Sequence, residues 1–117
     1  MLIFLSGPMN GQPNFNHNEF AYYEKRLQEL GHKVLSPHRA PKGLTEREYM
    51  KLSIEQVFNT EALCVLPGYY NSKGAMAEVA LSIKLELPIY HFNIQGETTE
   101  QTLIAFEYNA PGCSAYA

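Results

Sequence analysis

Short apolar runs alternate along the chain with longer segments whose apolar residues recur at helical spacing. This alternation is typical of β-α-β units, in which helices connect the parallel strands of one sheet. The apolar runs predict strands at residues 2–5, 33–35, 62–66 and 88–92. The periodic segments predict helices at residues 16–30, 45–58 and 72–87. We therefore predict an α/β fold with a parallel sheet of four to five strands flanked by helices.

Local signals mark where several of these elements begin and end. Gly31 follows the first periodic segment and predicts a helix stop, because glycine readily adopts the left-handed conformation that ends a helix. Thr45 and Glu48 have the capping-box spacing, which predicts the start of the second helix. Two prolines and a glycine exclude helix from residues 36–43. Towards the end of the chain we expect a short helix at residues 100–108 and a loose tail from about residue 109 to 117.

Composition and charge limit the number of domains and the kind of partner. The chain has 117 residues, of which 45% are apolar and 18% charged, so we expect one domain over residues 1–117. The formal net charge is −3 and the basic residues are scattered, which argues against nucleic-acid polymers and membranes as partners. The apolar start is too short for a signal sequence or a membrane span. We therefore expect a cytoplasmic protein that binds a small molecule.

The sequence patterns give no sign of a metal or of a common cofactor. Cys64 lies in an apolar run and Cys113 in a polar segment, so we expect two free thiols. The four histidines lack the short spacing of metal ligands. Neither the dinucleotide fingerprint G-x-G-x-x-G nor the P-loop pattern is present. We expect no metal and no cofactor.

The loops that follow the predicted strands are the place to look for a ligand. Open α/β sheets bind ligands at the carboxyl ends of their strands, so the loops that begin at Ser6, Pro37 and Pro67 should share one crevice. Their polar, aromatic and flexible residues suit a phosphate and a flat ring. These residues are Ser6, Gly7, Met9, Asn10, His38, Arg39, Tyr69, Tyr70, Asn71, Ser72 and Lys73.

The segment at residues 71–78 is the sharpest local feature of the sequence. Ser72 can cap the third helix, and the main-chain N–H groups of Lys73 and Gly74 then form an anion seat at the helix start. Side chains on a helix lean towards its N-terminus, so the Glu78 carboxylate can point at a ligand held there. The alternative is that Glu78 belongs to an ordinary solvated stripe with Ser82 and Glu86.

Other candidate residues also have plainer interpretations. Ser72 is equally compatible with a simple helix cap, and Tyr69 and Tyr70 with aromatic rings that cover a core edge. His38 and Arg39 fit either a solvated loop or contacts to a phosphate or a base. These alternatives stay open at the level of the sequence.

Several motifs in their order and spacing resemble the nucleoside 2-deoxyribosyltransferase-like superfamily. They are residues 3–9 (IFLSGPM), 30–32 (LGH) and 66–68 (LPG), and the pattern Ser72-x-Gly74-x-x-x-Glu78. Within the superfamily, the chain resembles the small, often phage-encoded DUF4406 branch, and the resemblance covers about residues 2–92.

The resemblance implies a Rossmann-like or flavodoxin-like sheet, a homo-oligomer and an enzyme that needs no cofactor. The implied reaction is cleavage or transfer at the N-glycosidic bond of a deoxynucleoside or its 5′-monophosphate, with Glu78 as the nucleophile. The candidate substrate-binding residues are Ser6, Gly7, Pro8, Met9, Tyr69, Ser72, Gly74 and Glu61.

Three positions differ from the superfamily's usual pattern. Ser72 stands where deoxyribosyltransferases usually have an aspartate, and resembles instead the branch that hydrolyses deoxynucleoside 5′-monophosphates. Phe4 stands where a tyrosine is usual, and Glu61 is a substitute for the acid often found after the second helix. A serine hydroxyl can donate to a phosphate that an aspartate would repel, so we favour a nucleotide over a nucleoside.

Two further functional classes remain open. The same crevice suits a module that binds or sequesters a nucleotide signal without turnover, and a structural role needs no ligand at all. Release of free base from deoxynucleotides would distinguish the enzyme from both, and a ligand-induced thermal shift without turnover would indicate the binding module.

Overall fold

A computed structural model describes residues 1–92 and 103–105. The strands are β1 (Leu2–Ser6), β2 (Lys33–Leu35), β3 (Ala62–Val65), β4 (Ile89–Phe92) and β5 (Leu103–Ala105). The α-helices are α1 (His17–Glu29), α2 (Glu46–Phe58) and α3 (Lys73–Lys84). All four predicted strands and all three predicted helices are present, within a few residues of the predicted bounds.

The strands form one sheet in the order β2-β1-β3-β4-β5. The first four strands are parallel, and β5 pairs antiparallel with β4. This arrangement confirms the α/β class and the parallel sheet flanked by helices. The order is that of the flavodoxin-like doubly wound folds, which bind ligands beyond the carboxyl ends of the strands.

Two local predictions are wrong in part. Leu103–Ala105 form a strand instead of part of a helix, because pairing with the edge of β4 satisfies their main-chain groups. The rest of residues 100–108, the expected tail and Cys113 lie outside the described residues. Pro37–Arg39 form one turn of 3-10 helix inside the loop from which we excluded helix, and proline at its first position is compatible with such a turn.

Alternating side chains of the strands build two cores, one on each face of the sheet. On one face, Ile3 and Leu5 pack with Phe20 and Leu27 of α1. On the other face, the core contains Phe4 together with residues of β3, α2 and α3. Because side chains alternate along a strand, Ser6 points to the same face as Phe4, towards α2 and α3.

The helix ends follow recognisable capping rules. Thr45 and Glu48 form the predicted capping box, with hydrogen bonds of 3.1 and 3.2 Å. Gly31 ends α1 with a positive φ of 90°, as predicted. However, α3 stops at Lys84 instead of residue 87, because Glu86 adopts a φ of 59° and turns the chain. None of the helices in the described part of the chain is long and apolar enough to cross a membrane.

Candidate active site

The carboxylate of Glu78 lies at the carboxyl end of β1, between the sheet and α2. Its residue is only 3% exposed, and its Oε1 accepts a hydrogen bond of 2.6 Å from the hydroxyl of Ser6. Ser82, in the next turn of α3, is fully buried and donates to the main-chain oxygen of Glu78 at 2.8 Å. The solvated-stripe interpretation is therefore wrong for Glu78 and Ser82, while Glu86 is exposed.

Helix α2 supplies the opposite wall of this site. Ser53 is buried, and its hydroxyl donates to the main-chain oxygen of Met50 at 3.2 Å while lying close enough to the Glu78 carboxylate to favour its ionised form. Tyr49, one turn earlier, donates its hydroxyl to the sulfur of Met9 at 3.0 Å. Two hydroxyl groups from different elements, Ser6 and Ser53, therefore flank the buried carboxylate.

Burial and hydrogen bonding act on the ionisation of Glu78 in opposite directions. Desolvation raises the pKa of Glu78 from its ordinary value of 4.5, and the hydroxyls of Ser6 and Ser53 lower it. Burial dominates, and the resulting pKa is about 7. Burial also raises the pKa of Tyr49, and the negative charges of Glu78 and Glu46 raise it further. The site thus holds a carboxyl group that ionises near neutral pH beside a phenol that keeps its proton.

The loop after β1 starts next to Ser6 and is tied to α2. A Cβ on Gly7 would lie 2.8 Å from the Cβ of Leu66, so only glycine lets the end of β1 come this close to the end of β3. Pro8 is buried, and its main-chain oxygen accepts a hydrogen bond of 2.9 Å from Asn16. Met9 contacts Tyr49, as described above, and the Asn10 side chain donates to Glu46 in the first turn of α2.

The start of α3 has the predicted cap. The hydroxyl of Ser72 accepts a hydrogen bond of 3.1 Å from the main-chain N–H of Ala75. The main-chain N–H groups of Lys73 and Gly74 belong to the first turn, where a helix supplies no internal acceptor. A Cβ on Gly74 would lie 3.4 Å from the sulfur of Met50, at van der Waals distance, so the start of α3 packs next to α2. The capped start of α3 and Glu78 thus belong to one helix, with Glu78 about 9 Å along the helix axis from Ser72.

The two tyrosines before α3 differ in environment. Tyr69 is partly buried and packs against the core that contains Phe4 and Val79, whereas Tyr70 is 67% exposed. Their rings meet edge to face, with centroids 5.6 Å apart. Tyr69 therefore covers a core edge, as in the plainer of its two interpretations, and Tyr70 presents its ring to solvent.

Glu61 lies at the wrong end of the sheet for the role we expected. Its Oε1 accepts a hydrogen bond of 3.2 Å from the main-chain N–H of Leu2, the first residue of β1. Ser6 is the last residue of that strand, and four residue steps along a strand span about 13 Å. We correct the prediction accordingly, because Glu61 is not positioned to protonate a base that departs beside Glu78.

His38 and Arg39 bind a protein carboxylate. The Nε of Arg39 donates to both oxygens of the buried Glu24, at 2.8 and 3.1 Å, and the Nε2 of His38 lies 3.4 Å from the same side chain. Burial lowers the pKa of His38, more than the charge of Glu24 raises it. These contacts fasten the loop after β2 to α1, which corresponds to neither of the two interpretations that the sequence left open.

Two site residues were missed in the sequence, Tyr49 and Ser53. They recur with Val57 at the i, i+4 spacing of one helix face, and that face is the one turned towards the core. A serine at a core-facing position of an amphipathic helix is the signal that identifies Ser53. Within the described residues, no three His, Cys, Asp or Glu side chains are grouped so that they could hold a metal ion.

Residues 1–91 match the model of the family described as "Domain of unknown function (DUF4406)". The chain belongs to the DUF4406 family. Among curated proteins, a sequence search finds no match.

Solved structures confirm the fold of this DUF4406 chain. The 2-deoxyribosyltransferase from the psychrotolerant bacterium Bacillus psychrosaccharolyticus superposes with a TM-score of 0.64 at 21% identity, covering 85% of this chain and 77% of that one. A conserved protein from Enterococcus faecalis V583 superposes with a TM-score of 0.59 at 15% identity, covering 86% of this chain and 69% of that one. The fold is thus nucleoside 2-deoxyribosyltransferase-like.

Proposed function

We propose that this protein cleaves the N-glycosidic bond of a deoxynucleoside 5′-monophosphate, with Glu78 as the nucleophile. The observation that carries the proposal is the Glu78 carboxylate, 3% exposed and hydrogen-bonded by Ser6 at the carboxyl end of β1. A buried carboxyl group that ionises near neutral pH, at the edge where α/β sheets bind ligands, is a candidate for chemistry. The fold shared with a 2-deoxyribosyltransferase supports glycosyl transfer as the reaction class.

The reaction follows the two-step course of retaining glycosyl transfer. The ionised Glu78 carboxylate attacks C1′ of the sugar, and the C1′–N bond breaks with its electron pair leaving on the base. The departing base takes up one proton from solvent, and the sugar is left as an ester of Glu78. A water molecule or a second base then attacks C1′, gives up one proton to solvent and releases the carboxylate. Water makes the protein a hydrolase, and a second base makes it a transferase.

The start of α3 supports a phosphate on the substrate. The first turn of this helix contains no acidic residue, and it offers the N–H groups of Lys73 and Gly74 together with the Lys73 side chain. Ser72 adds a neutral hydroxyl, which does not repel an anion. Since Glu78 leans towards the same helix end, a nucleotide whose phosphate binds there extends its sugar towards the carboxylate.

Glu78→Gln tests the role of the nucleophile, and Glu86→Gln is the matched control. Glu86 lies two residues beyond the end of α3 and is exposed, so Glu86→Gln makes the same chemical change away from the site. We expect the wild type and Glu86→Gln to release free base from a panel of deoxynucleoside monophosphates, measured by chromatography. Glu78→Gln should lower this rate by several orders of magnitude while calorimetry still detects nucleotide binding. Base release by Glu78→Gln at a rate comparable to the wild type would contradict the assignment.

A non-catalytic nucleotide-binding module is the second candidate. It is favoured by the burial of Glu78, whose residue is 3% exposed. A protonated Glu78 in that setting can donate a hydrogen bond to a ligand instead of attacking it. This candidate predicts that nucleoside monophosphates raise the melting temperature of the protein and are recovered unchanged.

A further inference from the structure

Ser6 is completely buried, and its hydroxyl is committed to protein groups. The hydroxyl lies 2.6 Å from Oε1 of Glu78 and 3.5 Å from the main-chain oxygen of Ala75. A separation of 2.6 Å is typical of a hydroxyl that donates to an ionised carboxylate. Our expectation that Ser6 binds substrate directly is therefore replaced by a contact to Glu78.

We propose that Ser6 is a positioning residue, whose hydroxyl fixes Oε1 of Glu78 and favours the ionised, nucleophilic form of that carboxylate. The proposal rests on the proposed function, because it assigns Ser6 a role through the nucleophile. It is anchored in the fold: Ser6 is the last residue of β1, and the alternation of that strand turns its side chain towards α3. A donor on a central strand holds the carboxylate more precisely than a donor on a loop.

Besides the serine hydroxyls, the groups near Glu78 do not stabilise its ionised form. From α2, Tyr49 faces Glu78 with a phenol, beyond which lies the carboxylate of Glu46. Neither β1 nor β3 contributes a charged side chain, and the only basic residue in the first turn of α3 is Lys73, which is exposed. Since no cation of the described residues is hydrogen-bonded to the carboxylate, its ionised form depends on hydroxyl donors.

Ser6 and Ser53 are not equivalent donors. The Ser53 hydroxyl is shared, because it also donates to the main-chain oxygen of Met50 at 3.2 Å. The competing acceptor of Ser6 is the Ala75 oxygen at 3.5 Å, the limit of a hydrogen bond, so its proton belongs to Glu78. Removal of the Ser6 hydroxyl should therefore disturb the ionisation of Glu78 more than removal of the Ser53 hydroxyl.

The test compares Ser6→Ala with Ser82→Ala. Both serines are fully buried, and both substitutions delete one hydroxyl near Glu78, but Ser82 donates to the main-chain oxygen and not to the carboxylate. The ionisation of Glu78 is followed by carboxyl-carbon NMR over a pH titration, with Glu78→Gln identifying its signal. Ser6→Ala should raise the titration midpoint by about one pH unit, a tenfold change in the ionisation constant, and Ser82→Ala should leave it in place.

The pH profile of base release gives the second readout. The acid limb of the profile should move to higher pH in Ser6→Ala by the same amount as the NMR midpoint, and activity should recover in alkaline buffer. A purely structural role would lower activity equally at every pH. If Ser6→Ala does not fold, Ser6→Cys keeps the size of the side chain with a weaker donor and should show a smaller shift in the same direction.

The outcomes separate this inference from the proposed function. An unchanged Glu78 midpoint in Ser6→Ala, or an equal shift in Ser82→Ala, overturns the role of Ser6 whatever the activity. If the Glu78 midpoint shifts in Ser6→Ala but the wild-type protein releases no base from any nucleotide, the hydrogen-bonding role is supported and the proposed reaction is overturned. A shift in both the midpoint and the acid limb, confined to Ser6 variants, supports both.

Discussion

Glu78 is a carboxyl group whose environment favours its neutral form, although the proposed reaction needs its ionised form. Burial raises its pKa to about 7, and the Ser6 and Ser53 hydroxyls limit that rise. Near neutral pH, both protonation states of the folded protein are therefore populated. A carboxyl group poised in this way is able to exchange a proton and to attack at the same pH.

This ionisation makes the effect of Glu78→Gln on stability depend on pH. In the folded protein the pKa of Glu78 is raised from 4.5 to about 7. The contribution of protonated Glu78 to the free energy of unfolding is therefore complete below pH 4.5 and is lost as the pH rises through 7. The loss is on the order of 3 kcal/mol, since each tenfold change in the ionisation constant corresponds to about 1.4 kcal/mol. Glutamine stays neutral, so Glu78→Gln should stabilise the protein at pH 8 and have little effect near pH 4.5. Urea denaturation at the two pH values measures this, and a gain that does not change with pH would argue against a raised pKa.

Ser72→Asp tests whether a phosphate binds at the start of α3. Aspartate caps a helix as well as serine does, so the fold should be retained. An added negative charge near a phosphate should weaken binding by on the order of 1 kcal/mol or more, which is roughly a fivefold to tenfold loss of affinity. Calorimetry with a deoxynucleoside 5′-monophosphate measures the loss, and the matching nucleoside is the control. If both ligands lose affinity equally, or if neither does, the phosphate is not bound at Ser72.

At the scale of whole elements, α1 and α3 end with the same hydrogen-bond pattern but different residues. After α1, Gly31 and His32 donate to the main-chain oxygens of Gln28 and Leu27. After α3, Glu86 and Leu87 donate in the same way to Ile83 and Ser82. The turning residue has a φ of 90° at Gly31 and 59° at Glu86, and only glycine adopts such values without steric cost.

Glu86→Gly should therefore stabilise the protein. The left-handed conformation costs a non-glycine residue about 1–2 kcal/mol, and the extra freedom of glycine in the unfolded chain offsets roughly 0.5–1 kcal/mol of this. We expect a net gain of roughly 0.5–1 kcal/mol in the free energy of unfolding, measured in urea. Glu86→Ala removes the same side chain without relieving the backbone and should give no gain. Equal stabilisation by both substitutions would point to the side chain instead of the backbone.

The same comparison explains which elements the sequence predicts well. Gly31 ends α1 where the pattern indicates, because the conformation and the residue type agree. The end of α3 is predicted too late, because a glutamate in the left-handed region leaves no mark in the sequence. The strand at 103–105 is missed for a related reason, since its pairing with β4 is a contact between distant segments and not a local preference.

At the scale of the whole molecule, the topology assembles a site that no local motif describes. The sequence predicted Glu78 and Ser72 as candidate site residues, because helical spacing alone relates their positions. The bond between Ser6 and Glu78 joins residues 72 positions apart, and it depends on β1 lying inside the sheet, between β2 and β3. Glu61 is the converse case, because its place in the chain suggested the site and the direction of β3 puts it at the opposite edge.

The exposure of apolar residues on α2 also bears on self-association. The family resemblance implies a homo-oligomer, and apolar residues on more than one side of α2, namely Tyr49, Met50 and Phe58, agree with that expectation. In the structure, Tyr49 and Met50 are partly buried against the site, and Phe58 is 59% exposed. The expectation of an oligomer now depends on Phe58 at the end of α2, because covering an exposed aromatic ring with a second copy of the chain stabilises the oligomer.

Light scattering at micromolar concentration should give a mass of at least twice the 13.2 kDa of one chain. Phe58→Ser should shift the population towards the monomer, because it removes the exposed ring without touching the core. Tyr22→Ser is the matched control, since Tyr22 is an aromatic residue that is 44% exposed, and its helix α1 lies on the opposite face of the sheet from α2. The ring of Tyr22 contacts Tyr23 and Arg26 on its own helix, so its loss should leave an interface at α2 unchanged. A wild-type mass equal to that of one chain would contradict the predicted oligomer. An equal effect of both substitutions would show that the interface does not depend on Phe58.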